Sequence, residues 1–153
     1  MVTKAKIQIQ DVLDKRNVLD AIYEQTPQIT LARWSLELAK HILTISGVDY
    51  TNNSVIQDGF ATNEAWQNGT ARMYDVRQAG FKVHQLAKGC NDPIKKMALR
   101  VAGQAIGTGH MREHAMVASD YAIKAINLLY PNDEAAILKE RQWQIDNLNR
   151  YET

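Results

Sequence analysis

The sequence contains a single cysteine, Cys90, among 153 residues. One cysteine excludes an internal disulfide, so the chain cannot belong to the class of small domains stapled by disulfides. No apolar run approaches the ~18 residues that a membrane-spanning helix needs. The N-terminal segment, MVTKAKIQIQDV, also lacks the apolar core of a signal peptide. We therefore expect a cytoplasmic protein with no membrane partner.

An excess of either charge is also missing. The formal net charge is +1, and like charges form no long run. This balance disfavours a nucleic-acid-binding surface and an acidic protein that mimics nucleic acid. Apolar residues make up 45% and charged residues 23%, the composition of an ordinary globular domain. At this length we expect one domain over residues 1–153.

Apolar residues recur at helical spacing in up to seven segments, the first over Asp11–Gln25. Residues that favour helix starts precede the later segments: Thr30, Asn53 or Ser54, Thr70, Asp92-Pro93 and Pro131-Asn132-Asp133. Strand-like alternation is confined to Lys6–Gln10. The pattern predicts an all-α protein, a compact multi-helical bundle of six to seven helices. Residues 1–10 are predicted to form a flexible arm.

The segment Gly103–Tyr130 is predicted to lie at the centre of this bundle. Unbroken apolar stripes precede and follow the short stretch Gly107–Met111, so two helices should meet there. Gly107, which lacks a Cβ, should stand where the helices approach closely or where the chain turns. The predicted core of this pair consists of Val101, Ala105, Ala118, Tyr121 and Ala122.

The same segment contains the pattern H-x-x-E-H, from His110 through Glu113 to His114. Two histidines four residues apart on one helical face can bind one zinc ion, and the glutamate can act as a general base. A protease would also need a third protein ligand and a substrate cleft, and the sequence supplies no suitably spaced ligand. We predict instead that His110 and His114 are hydrogen-bonded core residues, with Tyr121, Glu140 or Arg141 as partners.

Other sequence patterns that could carry chemistry are weak. A di-iron bundle needs Glu-x-x-His on two helices, and this spacing does not occur in the chain. Arginines and a histidine on the middle helices, Arg72, Arg77, His84 and Arg100, are interpreted as solvated faces and ion pairs. On the last helix, Trp143 is predicted to pack against the bundle. No catalytic residue, cofactor or metal is therefore assigned, and His110 and His114 stay the only metal candidates.

Several motifs in the C-terminal half form a familiar combination. They are the stretch Ala105–Met111 (AIGTGHM), His114-Ala115, Tyr121–Ala125 (YAIKA) and Glu140–Gln144 (ERQWQ). With fainter matches at Trp34, Ala65-Trp66 and Ala71-Arg72, they resemble the type-five-like immunity proteins of bacterial polymorphic-toxin systems. The resemblance covers residues 30–148. The chain departs from the family pattern at Gln104, where the family has a histidine, and at Gly107 and Gly109, where small alanines are expected.

The resemblance implies an immunity protein without enzymatic activity, which neutralises a cognate bacterial toxin by binding it directly. The residues that carry the motif, with a functional or a packing role, are Trp34, Arg72, Gly107, His110, His114, Tyr121, Lys124, Glu140, Arg141, Trp143 and Gln144. Two alternatives stay open. One is a metal- or small-molecule-binding helical bundle centred on His110 and His114, and the other is a helical scaffold or homodimer without a small ligand.

Overall fold

The computed structural model describes residues 2–151. Over this range the chain forms seven α-helices and no strand, which confirms the all-α prediction. The helices are α1 Leu13–Glu24, α2 Gln28–Ile45, α3 Ser54–Gln67, α4 Met73–Lys88, α5 Pro93–Gly107, α6 His114–Leu129 and α7 Glu134–Asn149. Within the same residues, none of these helices combines the length and apolar character needed to cross a membrane.

Three helix starts follow the predicted caps. Asn53, Asp92 and Asp133 each accept a hydrogen bond from a backbone N–H in the first turn of the helix that follows. Each side chain thereby satisfies a donor that has no partner inside the helix. Pro93 occupies the first position of α5, where its missing N–H costs nothing.

Two predicted caps are wrong. Thr30 lies inside α2, because the preceding Pro27 already provides an extended residue from which the helix can begin. Thr70 bonds back to the carbonyl of Ala65 and thus closes the end of α3. The start of α4 is satisfied instead by Asp75, whose carboxylate accepts from the backbone N–H of Arg72 at 3.0 Å.

Helix α5 lies at the centre of the bundle and packs against α2, α3, α4 and α6. Four of the five predicted core residues of the central pair, Val101, Ala105, Ala118 and Ala122, are fully buried. Tyr121 is an exception, since it is only half-buried and packs against the edge of the core. The small side chains on α5 and α6 let several helices surround α5 at close range.

Two glycines mark the closest backbone approaches around α5. A Cβ on Gly80 of α4 would lie 3.2 Å from the carbonyl oxygen of Gly103 on α5. Gly107 is the last residue of α5, and a Cβ there would lie 3.2 Å from Cδ2 of His114 on α6. Gly107 therefore stands both at the end of a helix and against its neighbour, as the sequence predicts.

The end of α5 and the loop that follows it, residues 108–113, are held by hydrogen bonds to three other parts of the fold. Gln28 of α2 donates to the carbonyl of Thr108 at 2.8 Å, and Asn63 of α3 donates to the carbonyl of Ile106 at 2.9 Å. Arg112 in the loop donates to the carbonyls of Tyr23 and Thr26 at the end of α1. These bonds satisfy carbonyls that helix ends leave unpaired and set the position of His110.

The N-terminal segment predicted as an arm runs extended beside α1 and α6. Thr3 bonds to the carboxylate of Asp20 through its backbone N–H at 3.0 Å and its hydroxyl at 2.5 Å. Further along, the backbone of Gln10 exchanges two hydrogen bonds with the amide side chain of Asn127 on α6. The segment bounds a groove of about 940 Å³ with α1 and α6.

We expect Gly107→Leu to lower the free energy of unfolding by about 1–3 kcal/mol, because the added side chain must enter space that the His114 ring occupies. Gly89→Leu is the matched control. Gly89 also lies at a helix end, but it is exposed and a Cβ there would meet only ordinary contacts at 3.7 Å and beyond. Chemical denaturation measures both, and equal midpoints for the two variants would contradict this expectation.

Candidate functional site

The residues that carry the sequence motif fall into three places in the fold. The ERQWQ segment of α7 lies in the interior, against α1, α2 and α6. Gly107, His110 and His114 lie where α5 meets α6. Arg72 lies on the surface at the start of α4, while Tyr121 and Lys124 are half-buried on α6.

Arg141 of α7 is fully buried, and every nitrogen of its guanidinium group donates hydrogen bonds. Its guanidinium binds Asp11 in a bidentate pair at 3.0 and 2.7 Å, and Nη2 also donates to Asp120 Oδ1 at 2.8 Å. Nη1 donates to the Ser119 hydroxyl and to Gln144 Oε1. A buried guanidinium is tolerated only when charge and hydrogen bonds compensate for lost hydration. The N-terminal segment, α6 and α7 are held together by this one side chain.

Asp120 of α6 binds a second buried arginine, Arg16 of α1. The Arg16 guanidinium donates Nε and Nη2 to the two carboxylate oxygens at 2.9 Å each, and Nη1 donates to the carbonyl of Thr3. Burial lowers the pKa of Arg16, but the hydrogen bond and negative charge of Asp120 outweigh it, so that pKa lies above its ordinary value. We call Asp11, Arg16, Asp120 and Arg141 the arginine network.

Other residues of the ERQWQ segment also make contacts within the protein. Glu140 is buried, and its Oε1 lies 2.7 Å from Nε2 of His41 on α2. The His41 ring stacks on Trp143 with centroids 4.0 Å apart. Trp34 is fully buried and donates its indole N–H to the carbonyl of Gln144 at 3.0 Å. These contacts dock α7 on α2, and Trp143 packs against the bundle as the sequence predicts.

A second group of polar side chains, the histidine cluster, consists of His84, Gln104, His110 and His114. Nδ1 of His114 lies 2.6 Å from Oε1 of Gln104, so this nitrogen carries the proton that the amide oxygen accepts. The predicted partners of His114 were wrong, because Glu140 and Arg141 are committed to the contacts of α7. Gln104, which stands where the family pattern has a histidine, supplies the hydrogen bond instead.

The geometry of the H-x-x-E-H pattern also differs from the expected one. His110 lies in the loop, because α5 ends at Gly107, and His114 is the first residue of α6. The two rings stack obliquely with centroids 5.8 Å apart, so they do not project from one helical face. Over residues 2–151, His, Cys, Asp and Glu side chains form no group of three suited to a metal ion.

His84 of α4 is the member of this cluster with the most altered proton affinity. Its ring lies against Gly103, where a Cβ would come within 2.5 Å of the imidazole. Burial, with the charges of Arg100 and His114, lowers the pKa of His84 to about 4. Burial and His110 likewise lower the pKa of His114. His84 and Arg100, interpreted from the sequence as parts of solvated faces and interhelical ion pairs, are half-buried and meet between helices, with Arg100 Nη1 3.2 Å from His84 Nδ1 at the α4–α5 contact.

The exposed side of α4 carries large apolar side chains. Met73, Tyr74 and Phe81 are 55%, 57% and 47% exposed. The Arg72 guanidinium lies 5.6 Å from the ring centroid of Tyr74, and that of Arg77 lies 5.2 Å from the centroid of Phe81. Arginine and aromatic residues together are typical of protein interfaces. Of the motif residues, only Arg72 belongs to this surface.

Sequence reasoning missed the partners of the buried arginines. Asp11 precedes α1, Arg16 lies in α1 and Asp120 lies in α6. In the sequence, each has the surroundings of an ordinary polar residue in a helix or at its start. A usable signal was the placement of Asp120 between Ser119 and Tyr121 in an otherwise apolar stripe. An acidic residue on a buried face needs a cation, and Arg141 on the last helix was an available one.

We expect Arg141→Ala to lower the free energy of unfolding by about 3–5 kcal/mol, because it leaves Asp11 unpaired and Asp120 with one partner fewer. Arg72→Ala should leave stability unchanged within error, since Arg72 is 76% exposed and pairs only with Asp75 in its own helix. Urea denaturation followed by circular dichroism checks both. A loss below about 1 kcal/mol for Arg141→Ala would show that the network contributes little.

The stability should depend on pH through His84. Its folded pKa of about 4 lies below the unfolded value of 6.5, so the unfolded chain takes up the proton first as pH falls. The contribution is complete above about pH 6.5 and is lost toward pH 4. We expect His84→Gln to reduce the stability difference between about pH 7.5 and pH 4.5 by on the order of 1–2 kcal/mol, since water reaches part of the ring. Identical pH profiles for both proteins would contradict this.

Comparison with known proteins gives one match. The family model described as "Imm-5 like putative immunity protein" matches residues 21–151. No curated protein and no solved structure matches the chain. The matched range covers α2 to α7 and the last turn of α1, including the arginine network except Asp11 and Arg16, the histidine cluster and the exposed side of α4. The chain therefore belongs to the Imm-5-like family of immunity proteins.

Proposed function

We propose that this protein neutralises a cognate protein toxin by binding it directly, without catalysing a reaction. The observation that supports this most is the division between interior and surface. The groups of the arginine network are hydrogen-bonded to one another, as are His84, Gln104 and His114 of the histidine cluster, while aromatic and arginine side chains stand exposed on α4. A rigid helical bundle with such a surface suits binding by shape and charge.

Occlusion is the mechanism that this architecture favours. A standard-sized interface covers roughly 800 Å² on each partner, enough to block a toxin's active surface without any change in the inhibitor. The buried contacts of α1, α2, α6 and α7 fix the helices before binding, which lowers the entropy lost on association. Family membership supports a toxin as the partner.

The first step of the test is to identify a toxin-like reading frame beside this gene and to express its product. We expect co-expression of this protein to restore growth of cells that produce the toxin, and the purified proteins to form a 1:1 complex in size-exclusion chromatography. Inhibition should be stoichiometric, because an occluding protein is consumed by each toxin molecule that it covers. Substoichiometric protein that inactivates an excess of toxin would indicate catalysis and overturn the proposal.

Two controls separate binding from other routes to rescue. Toxin transcript and protein levels should be equal with and without the immunity protein, which excludes an effect on expression. Arg141→Ala, which weakens the fold, should lose rescue only to the extent that it lowers the amount of folded protein. Rescue without complex formation, at matched toxin levels, would also contradict direct binding.

A further inference from the structure

We propose that the exposed face of α4 is the toxin-binding surface, and that it recognises an acidic surface of the toxin. This inference rests on the proposed function and names the contact face and the chemistry of the partner. Its central residues are Tyr74, Arg77 and Phe81, which we call the α4 stripe.

Helical geometry places the α4 stripe on one line along the surface. Tyr74, Arg77 and Phe81 stand at positions i, i+3 and i+7, so they share one side of the helix. The opposite side is buried through Val76, Gly80, Val83 and Ala87. Because that side packs on α3 and α5, the stripe cannot turn inward, and its apolar area stays in water when the protein is alone.

The two aromatic rings of the α4 stripe are held in place by arginines. Each ring lies within 6 Å of a guanidinium, from Arg72 over Tyr74 and from Arg77 over Phe81. Such cation–π pairs limit side-chain motion before binding. A partner therefore meets two rigid apolar anchors with positive charge directly beside them, the combination found in interface hot spots.

The segment that forms α4 and α5 carries a positive net charge. Residues 72–107 contain seven basic and two acidic residues, a net of +5, whereas the rest of the chain contains eleven basic and fifteen acidic residues, a net of −4. Both acidic residues in this segment are used as helix caps, Asp75 for α4 and Asp92 for α5. The overall charge of +1 thus conceals a basic α4–α5 segment, of which Arg72 and Arg77 lie beside the aromatic rings of the exposed α4 face.

Most of these cations are not neutralised inside the protein. Arg72 pairs with Asp75, and Arg100 bonds to His84. Within residues 2–151, the other five form no ion pair: Arg77, Lys82, Lys88, Lys95 and Lys96. Unpaired surface cations beside exposed aromatic rings attract a negatively charged partner and accelerate its association.

A second copy of this chain is a poor occupant of the α4 face. A two-fold dimer would place the same patch against itself, so the basic side chains would face each other and repel. An acidic protein surface meets the same cations favourably. A toxin with a basic cleft, as proteins that bind nucleic-acid backbones have, would be repelled. The cognate toxin should therefore present carboxylates around the site that this protein covers.

The experiment measures binding of the toxin identified in the test of the proposed function by surface plasmon resonance, with circular dichroism on each variant to verify folding. We expect Tyr74→Ala and Phe81→Ala each to weaken binding by roughly 30-fold or more, the range of interface hot spots. Arg77→Glu should weaken it at least as much, mainly by slowing association, and Arg77→Lys should retain most of the affinity. Raising salt from ~0.05 M to ~0.5 M should slow association of the unmodified protein.

Matched controls lie at α6 and α7. Tyr130→Ala removes an aromatic side chain that is 50% exposed, like Phe81 at 47%, and Lys139→Glu makes the same charge change as Arg77→Glu. Both should bind the toxin like the unmodified protein. The location is overturned if these controls lose binding while the α4 variants keep it. The charge assignment is overturned if salt has no effect and Arg77→Glu binds normally.

Three further outcomes would overturn the inference. If the unmodified protein does not bind the toxin at all, the proposed function fails, and this inference fails with it. If a single-stranded RNA or a DNA duplex binds and Arg77→Glu and Phe81→Ala abolish that binding, the occupant is nucleic acid and the inference is wrong. If the protein sediments as a dimer that Phe81→Ala dissociates, the occupant is a second copy and the inference is again wrong.

Discussion

The sharing of one carboxylate by two buried arginines is the constraint on which the junction of α1, α6 and α7 depends. Asp120 accepts from Arg16 and Arg141, which are 3% and 0% exposed, and Asp11 completes the pairing of Arg141. Because an unpaired charge in the interior costs several kcal/mol, these elements can dock only in the arrangement that brings all four groups together. Apolar packing alone would tolerate small rotations of α7, whereas bidentate hydrogen bonds do not.

This interior use of polar residues changes how the sequence motif is understood. ERQWQ contains residue types that elsewhere perform catalysis or binding, yet all five of its side chains pair with α1, α2, α6 or one another. Likewise, His114 bonds to Gln104. Most residues of the motif therefore close the bundle, while Arg72 lies on the surface.

Charged residues are distributed unevenly over the fold. The junction of α1, α6 and α7 pairs carboxylates with guanidinium groups, whereas five cations of α4 and α5 form no ion pair within residues 2–151. Close packing of α4 on α5 depends on Gly80 and Gly103, which bring the two basic helices side by side. This close approach thus brings together two helices that carry a net positive charge.

The sequence by itself determined the helices, because apolar periodicity and the caps Asn53, Asp92 and Asp133 act within a few residues of the chain. It also determined that the chain turns at Gly107 and that it belongs to its family. Only the tertiary structure decided which polar residues meet. Asp120 and Arg16, which bind each other, are 104 positions apart in the sequence. Gln104 lies beside His114 because of where α5 ends and the loop to α6 begins. Such pairings follow from the packing of whole helices, so the local spacing of residues does not predict them.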